Sequence, residues 1–74
     1  MPIHYFHCTD GRDLVLDRTG HRASRRQIEL LAAFVASEIM KGASGPINWS
    51  EWLVSVQDEK GKLVAVVPFP ARRS

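Results

Sequence analysis

Two segments of this chain share one pattern, and they flank a single helix. Each is an extended run, a turn containing Asp and Gly, and a second extended run. Tyr5-Phe6-His7-Cys8-Thr9-Asp10-Gly11 leads into Leu14-Val15-Leu16, and Trp52-Leu53-Val54-Ser55-Val56-Gln57-Asp58-Glu59-Lys60-Gly61 leads into Leu63-Val64-Ala65-Val66-Val67. Aromatic and β-branched residues bounded by turn residues read as the strands of hairpins. Two hairpins and one helix nearly exhaust 74 residues, which leaves little room for a catalytic apparatus. The chain reads as one α+β domain of order ββαββ, with a four-stranded antiparallel sheet made of two hairpins packed on one helix. The ordered core is expected over about residues 3–69, with 70–74 a frayed tail.

Strand one is read at Ile3–Thr9, and strand two at Leu14–Leu16. Asp10-Gly11 and Asp17-Arg18-Thr19-Gly20 supply the turns, because glycine takes positive φ at no steric cost and Asp bonds its own following backbone. The register between these two strands stays open. Ser24-Arg25-Arg26-Gln27 has capping-box spacing, and Ile28–Met40 contains neither glycine nor proline. Ile28, Leu31, Ala32, Val35 and Ile39 form one stripe at helical period. Lys41 suits the negative helix end, Gly42 suits a left-handed cap, and Ala43–Pro46 reads as a loop.

Strand three is read at Trp49–Gln57 and strand four at Leu63–Phe69, joined by a type I turn with a glycine bulge at Gly61. That loop sets Val56 opposite Leu63, Val54 opposite Ala65 and Trp52 opposite Val67. The face so formed, with Phe69, is assigned to the helix. Pro68 suits the end of an edge strand, where no ladder donor is lost.

The other face carries Leu53, Ser55, Gln57, Lys62, Val64 and Val66. A sheet meeting water on that side alternates to polar residues, and Leu53, Val64 and Val66 break the alternation. Leu30 and Phe34 likewise lie away from the helix stripe. Leaving large aliphatic side chains in water forgoes about 1.5–3 kcal/mol each. A chain this short buries only about 60% of the surface its unfolded form exposes, so such surface is in demand. Leu30, Phe34, Leu53, Val64 and Val66 are accordingly read as a protein interface, with a second copy as the simplest partner and an unidentified protein as the other. Two alternatives remain. Isolated exposed apolar residues are ordinary, and the N-terminal strand or the Ala43–Asn48 loop could fold over Leu30 and Phe34.

Composition narrows the functional classes. Apolar residues make up 45% of the chain, so a core is available. The single cysteine, Cys8, permits no intrachain disulfide and suits a reducing, cytoplasmic compartment. The start Met1-Pro2-Ile3-His4 shows no signal-peptide pattern, and no segment approaches the ~18 continuous apolar residues of a membrane span. The net charge of +2 is too small to steer the chain to a polyanion by itself.

Candidate chemistry is sparse. His4, His7, Cys8 and His21 are zinc-type donors, but on a strand His4 and His7 face opposite ways, as do His7 and Cys8. His4 and Cys8 share a face yet lie ~13 Å apart, against the ~2.0–2.3 Å ligand distances of zinc. These histidines read as ordinary and partly exposed, and no metal or cofactor is expected. Cys8 reads as a small apolar side chain, and Asp10, Asp13 and Asp17 as turn residues. No Ser/His/Asp arrangement, phosphate loop or dinucleotide fingerprint is present, so neither catalytic residues nor a small-molecule substrate are inferred. Arg22, Arg25 and Arg26 cluster before and into the helix and are the candidate contacts for an anion or nucleic acid. Nucleic acid is the less favoured partner, because no aromatic residues interleave with the cluster. Asn48-Trp49-Ser50 matches a glycosylation acceptor but has no secretory signal to accompany it.

The sequence also resembles a family of short bacterial proteins of unknown function, common in alphaproteobacteria. The resemblance rests on Tyr5-Phe6-His7, Asp10-Gly11, Asp17-x-x-Gly20, an alanine-rich helix, and Trp52-x-Val54-x-Val56-x-Asp58-x-x-Gly61 ending Val67-Pro68-Phe69. It covers about Tyr5–Phe69. The chain departs from the pattern at Cys8 and has a less charged helix. The resemblance implies the two-hairpin fold and carries no activity. A looser likeness, of topology alone, is to compact antitoxin domains that occupy a toxin's active surface, and it implies a regulatory alternative.

Overall fold

In a computed structural model the chain forms one antiparallel sheet covered on one face by one helix; the structure describes residues 2–43 and 47–70. The strands are β1 (Ile3–Thr9), β2 (Leu14–Val15), β3 (His21–Arg22), β4 (Leu53–Gln57) and β5 (Leu63–Pro68), and the helix is α1 (Ile28–Gly42), between β3 and β4. The fold is α+β as expected. The first hairpin differs in one respect: its return strand comes in two pieces. β2 and β3 both pair with the same edge of β1, and the sheet runs β2/β3–β1–β4–β5. The hairpins join through β1 and β4, with Phe6 opposite Val56 and Cys8 opposite Val54.

Alternation along β1 and β4 makes the core. Phe6 and Cys8 of β1 and Val54 and Val56 of β4 are buried, and the residues between them are half-buried. The helix meets this face through Ile28, Ala32 and Ala36. Two fully buried alanines let the helix backbone approach the sheet closely, where larger side chains would overpack. Leu31, Val35, Ile39 and Met40 pack at the margins. The stripe was therefore centred slightly wrong, since Ala36 was not in it.

The helix starts as read. Gln27 turns back and its Oε1 accepts the Ser24 amide at 3.0 Å. The first turn, Arg25–Gln27, is 3₁₀. The far end differs. Gly42 remains helical and is not among the positive-φ glycines; Ala43, extended at φ −84°, ψ 146°, ends the helix. The rest of the predicted Ala43–Pro46 loop and the tail beyond Pro70 lie outside the described residues.

Trp49–Glu51 is a 3₁₀ turn and not the start of a strand. Asn48 Oδ1 accepts the Ser50 amide at 3.0 Å, so the side chain caps the turn and overrides the β propensity of tryptophan. The turn stacks Trp49 on Phe69, with centroids 5.5 Å apart, and Trp52 lies 5.7 Å from the same ring. This aromatic group closes one end of the core.

The β4–β5 connection has the predicted turn. The Gly61 amide donates to Asp58 O at 3.0 Å, and Gly61 has φ +82°. The register is displaced from expectation: Val56 faces Ala65, Val54 faces Val67, and Gln57 faces Leu63, with a bulge beside Val56 and Gln57. The displacement for the paired valines is two residues. An even shift preserves the faces, so Val54, Val56, Ala65 and Val67 still look toward the helix. The bulge residue Val64 does not keep its expected side. It packs against the core, while Leu63, expected on the covered face, is exposed.

Phe69→Ala is expected to destabilise the protein by about 3–5 kcal/mol, because it removes a buried ring touching both tryptophans. Urea unfolding followed by tryptophan fluorescence measures it, and a loss under about 1 kcal/mol would show that the aromatic group adds little.

Candidate functional site

The break between β2 and β3 opens a groove of about 250 Å³ between the sheet edge and the helix. Phe6, Val15, Leu16, Phe34, Val35 and Ile39 line it, and its polar atoms come from Asp17, His21 and Glu38. Val15 lies opposite Cys8, which sets its side chain on the helix side of the sheet, beside Phe6. His21 lies opposite His4 on that same side and meets Phe6 edge to face, with centroids 5.4 Å apart.

Asp17 holds the break in place. Its Oδ1 accepts the amides of Thr19 and Gly20 at 3.1 and 3.0 Å and the Thr19 hydroxyl at 3.2 Å. Its Oδ2 accepts the Phe6 amide at 3.1 Å, standing in for the carbonyl an unbroken edge strand would supply. The Asp17 amide donates to His7 Nδ1 at 3.0 Å, a bond made by the neutral ring. His21 Nδ1 lies 3.4 Å from Oδ2 and forms an ion pair when its ring is protonated. Gly20 has φ +78°, and a Cβ there would sit 2.6 Å from Ile3 Cγ2. The loop therefore needs glycine for both conformation and space.

These bonds shift the carboxyl. Burial, the largest single influence, works to raise the Asp17 pKa, but the amides of Gly20, Phe6 and Thr19 together hold it below the usual carboxylate range. The Lys62 and Lys60 amides do the same at Asp58, and those of Asp13 and Arg12 at Asp10. Cys8 moves the other way. Burial, then the charge of Asp17, pushes its thiol up to about 11. A fully buried, protonated thiol has neither the access nor the charge of a nucleophile.

The structure separates the predicted interface residues. Leu30 and Phe34, 75% and 59% exposed, stand on the outer side of the helix, and Phe34 forms one wall of the groove. Val66, 50% exposed, and half-buried Leu53 lie on the sheet face turned away from the helix. The five residues do not make one patch, and Val64 leaves the set because it packs on the core. Two exposed apolar residues lie outside that set. Val15 and Leu16 are exposed and extend the Phe34 surface across the groove. Three consecutive aliphatics, Leu14-Val15-Leu16, carried that signal, since strand alternation cannot bury all three on one side.

Arg22, Arg25 and Arg26 are all exposed. Among the described residues the ion pairs are His21–Asp17 and Lys41–Glu38, so none of the three arginines meets a carboxylate there. The expectation of partly exposed histidines fails at His4, which is 4% exposed with Nδ1 unbonded. No group of three or more His, Cys, Asp or Glu among the described residues is placed to hold a metal ion, and no helix among them is long and apolar enough to cross a membrane.

Asp17→Asn is expected to cost about 1.5–3 kcal/mol at neutral pH, since its bonds come from a charged acceptor. The sign with pH follows from the lowered pKa. The carboxylate stabilises the fold fully above its unfolded value of about 4, and that contribution vanishes as pH falls through the lower folded value. Urea midpoints of the wild type and the variant should therefore converge on acidification below about pH 4; a gap that stays constant would assign the loss to packing alone.

No curated protein and no solved structure matches the chain. The family model for a domain of unknown function, DUF6894, matches residues 3–70, and the chain belongs to that uncharacterised family.

Proposed function

We propose that the chain is a small protein-interaction module that associates with a second copy of itself. The observation that carries this reading is the apolar surface around the helix: Leu30 and Phe34 stand exposed, and Val15 and Leu16 continue the surface across the groove. One helix covers one face of the sheet, and nothing in the described chain covers the helix in turn. Burial of that surface is the main favourable term a domain of this size can still gain. A twofold dimer gains it twice with a single patch. The sheet's outer face, with Leu53 and Val66, is left for a further protein partner. A lone cysteine kept as a buried thiol is in keeping with a cytoplasmic setting.

A second reading has its own observation. Arg22, Arg25 and Arg26 are exposed and meet no carboxylate among the described residues, which suits contact with a nucleic-acid backbone in a regulatory, antitoxin-like role.

Sedimentation equilibrium tests the leading reading. The wild type is expected to dimerise, and Phe34→Asp to remain monomeric with unchanged circular dichroism. A wild type that stays monomeric at high concentration removes the leading reading. Val64→Asp is not a suitable variant, since it would unfold the core edge. For the second reading, changing Arg22, Arg25 and Arg26 together to Ala is expected to abolish retention of DNA or RNA in a gel-shift assay; no retention by the wild type removes it.

A further inference from the structure

We infer that the second copy docks helix against helix, antiparallel across a twofold axis that passes between Leu30 and Phe34, with Arg26 of each copy against Glu38 of the other. This deepens the self-association reading and rests on it. The inference comes from one row of the helix surface. Arg26, Leu30, Phe34 and Glu38 are four residues apart in succession, and all four are exposed. Leu30, Phe34 and Glu38 lie in α1, where residues at i and i+4 are surface neighbours, and Arg26 precedes them in the 3₁₀ turn Arg25–Gln27, so the four follow one another along the helical segment over roughly 18–20 Å.

The order along that row is basic, apolar, apolar, acidic. A ridge with that order complements itself only when reversed. Laid antiparallel on a twin, Leu30 meets Phe34 at both central positions, and Arg26 meets Glu38 at both ends. A parallel arrangement would stack arginine on arginine and glutamate on glutamate. Packing ridges of this spacing into each other's grooves is the commonest geometry between helices, with axes crossing at about −50°. Ala33, also exposed, lies beside the two apolar residues and is small enough to admit the partner's ridge.

The charged ends are free to take part. Arg26 meets no carboxylate among the described residues. Among the described residues Glu38 pairs with Lys41, at 3.6 Å, and both side chains are more than half exposed. Such a contact is weak and yields to a better placed guanidinium. Arg26 also sits in the first turn of the helical segment, where a positive charge opposes the helix dipole. A partner's carboxylate at that end relieves the conflict.

Charge reversal tests the register. Arg26→Glu and Glu38→Arg, made separately, each place like charges at both ends of the homodimer, and each is expected to raise the dimer dissociation constant at least about tenfold. Mixing the two single variants restores opposite charges at both ends. In the mixed dimer one end pairs the introduced carboxylate of the first variant with the introduced guanidinium of the second, and the other end pairs the native Glu38 of the first with the native Arg26 of the second. The mixture is expected to form a heterodimer near wild-type affinity, seen by sedimentation equilibrium with one chain fluorescently labelled. The double variant in one chain is expected to homodimerise likewise. A wild type that dimerises while both single variants do so unchanged, or whose single variants fail to rescue each other on mixing, overturns the antiparallel register and leaves self-association standing. A monomeric wild type overturns both.

Discussion

The bond from the Phe6 amide to the Asp17 carboxylate is the constraint on which this small fold turns. β1 needs partners on both edges. β4 supplies one edge without a break from Tyr5 to Thr9, but β2 and β3 supply the other only at its ends. The gap falls at Phe6, whose side chain lies at the centre of the core. Asp17 fills it with a side-chain oxygen and uses its other oxygen to organise the loop that made the gap. The edge strand can thus leave the sheet without orphaning the backbone it abandons. The consequence is spatial. Leu16 and Asp17 swing out, the helix flank is left without a strand beside it, and the groove at Phe34 results.

Much of the architecture was legible because local and global preferences agree. Ile3–Thr9 alternates and lacks breakers, and its bounds came out as read. Asp10, Asp17 and Asp58 each sit before a glycine, and each carboxylate does bind the following amides. The failures have physical causes. β3 is the pair His21–Arg22, which has no β-branched residue and owes its extension to pairing with β1. Trp49 has strand propensity, but the Asn48 cap outweighs it. The bulge at Val64 is invisible to alternation, since it costs one residue of register and no apolar character.

The site was legible in part for the same reason. Leu30 and Phe34 stand off a clear helical stripe, so their exposure follows from the 3.6-residue period. Val64 was misjudged because a single bulge reverses one residue's side. Asp17 was understood only as a turn residue. Its local bonds, to Thr19 and Gly20, are written in the sequence, whereas its bond to Phe6 spans eleven positions and exists only once the hairpin has closed. Long-range roles of this kind need topology.

The same topology leaves both sheet edges poorly suited to pairing with another chain. An exposed edge strand invites pairing with another chain. β5 forms one edge, and its alternation can be worked out. The Phe69 amide donates to Trp52 O at 3.0 Å, which makes that pair hydrogen-bonded and the next pair, Leu53 with Pro68, not. Counting on in twos, Val67 and Ala65 turn their backbone groups toward β4, and Pro68 and Val66 turn theirs outward. Pro68 has no N–H to offer there. Beyond Val66 the bulge at Val64 disrupts the ladder. An incoming strand would find one whole outward-facing residue, Val66, between two obstacles. The opposite edge is divided into two pieces of two residues each. With both edges blunted, Leu30 and Phe34 of α1, with Val15 and Leu16 across the groove, are an exposed apolar surface that backbone pairing does not reach.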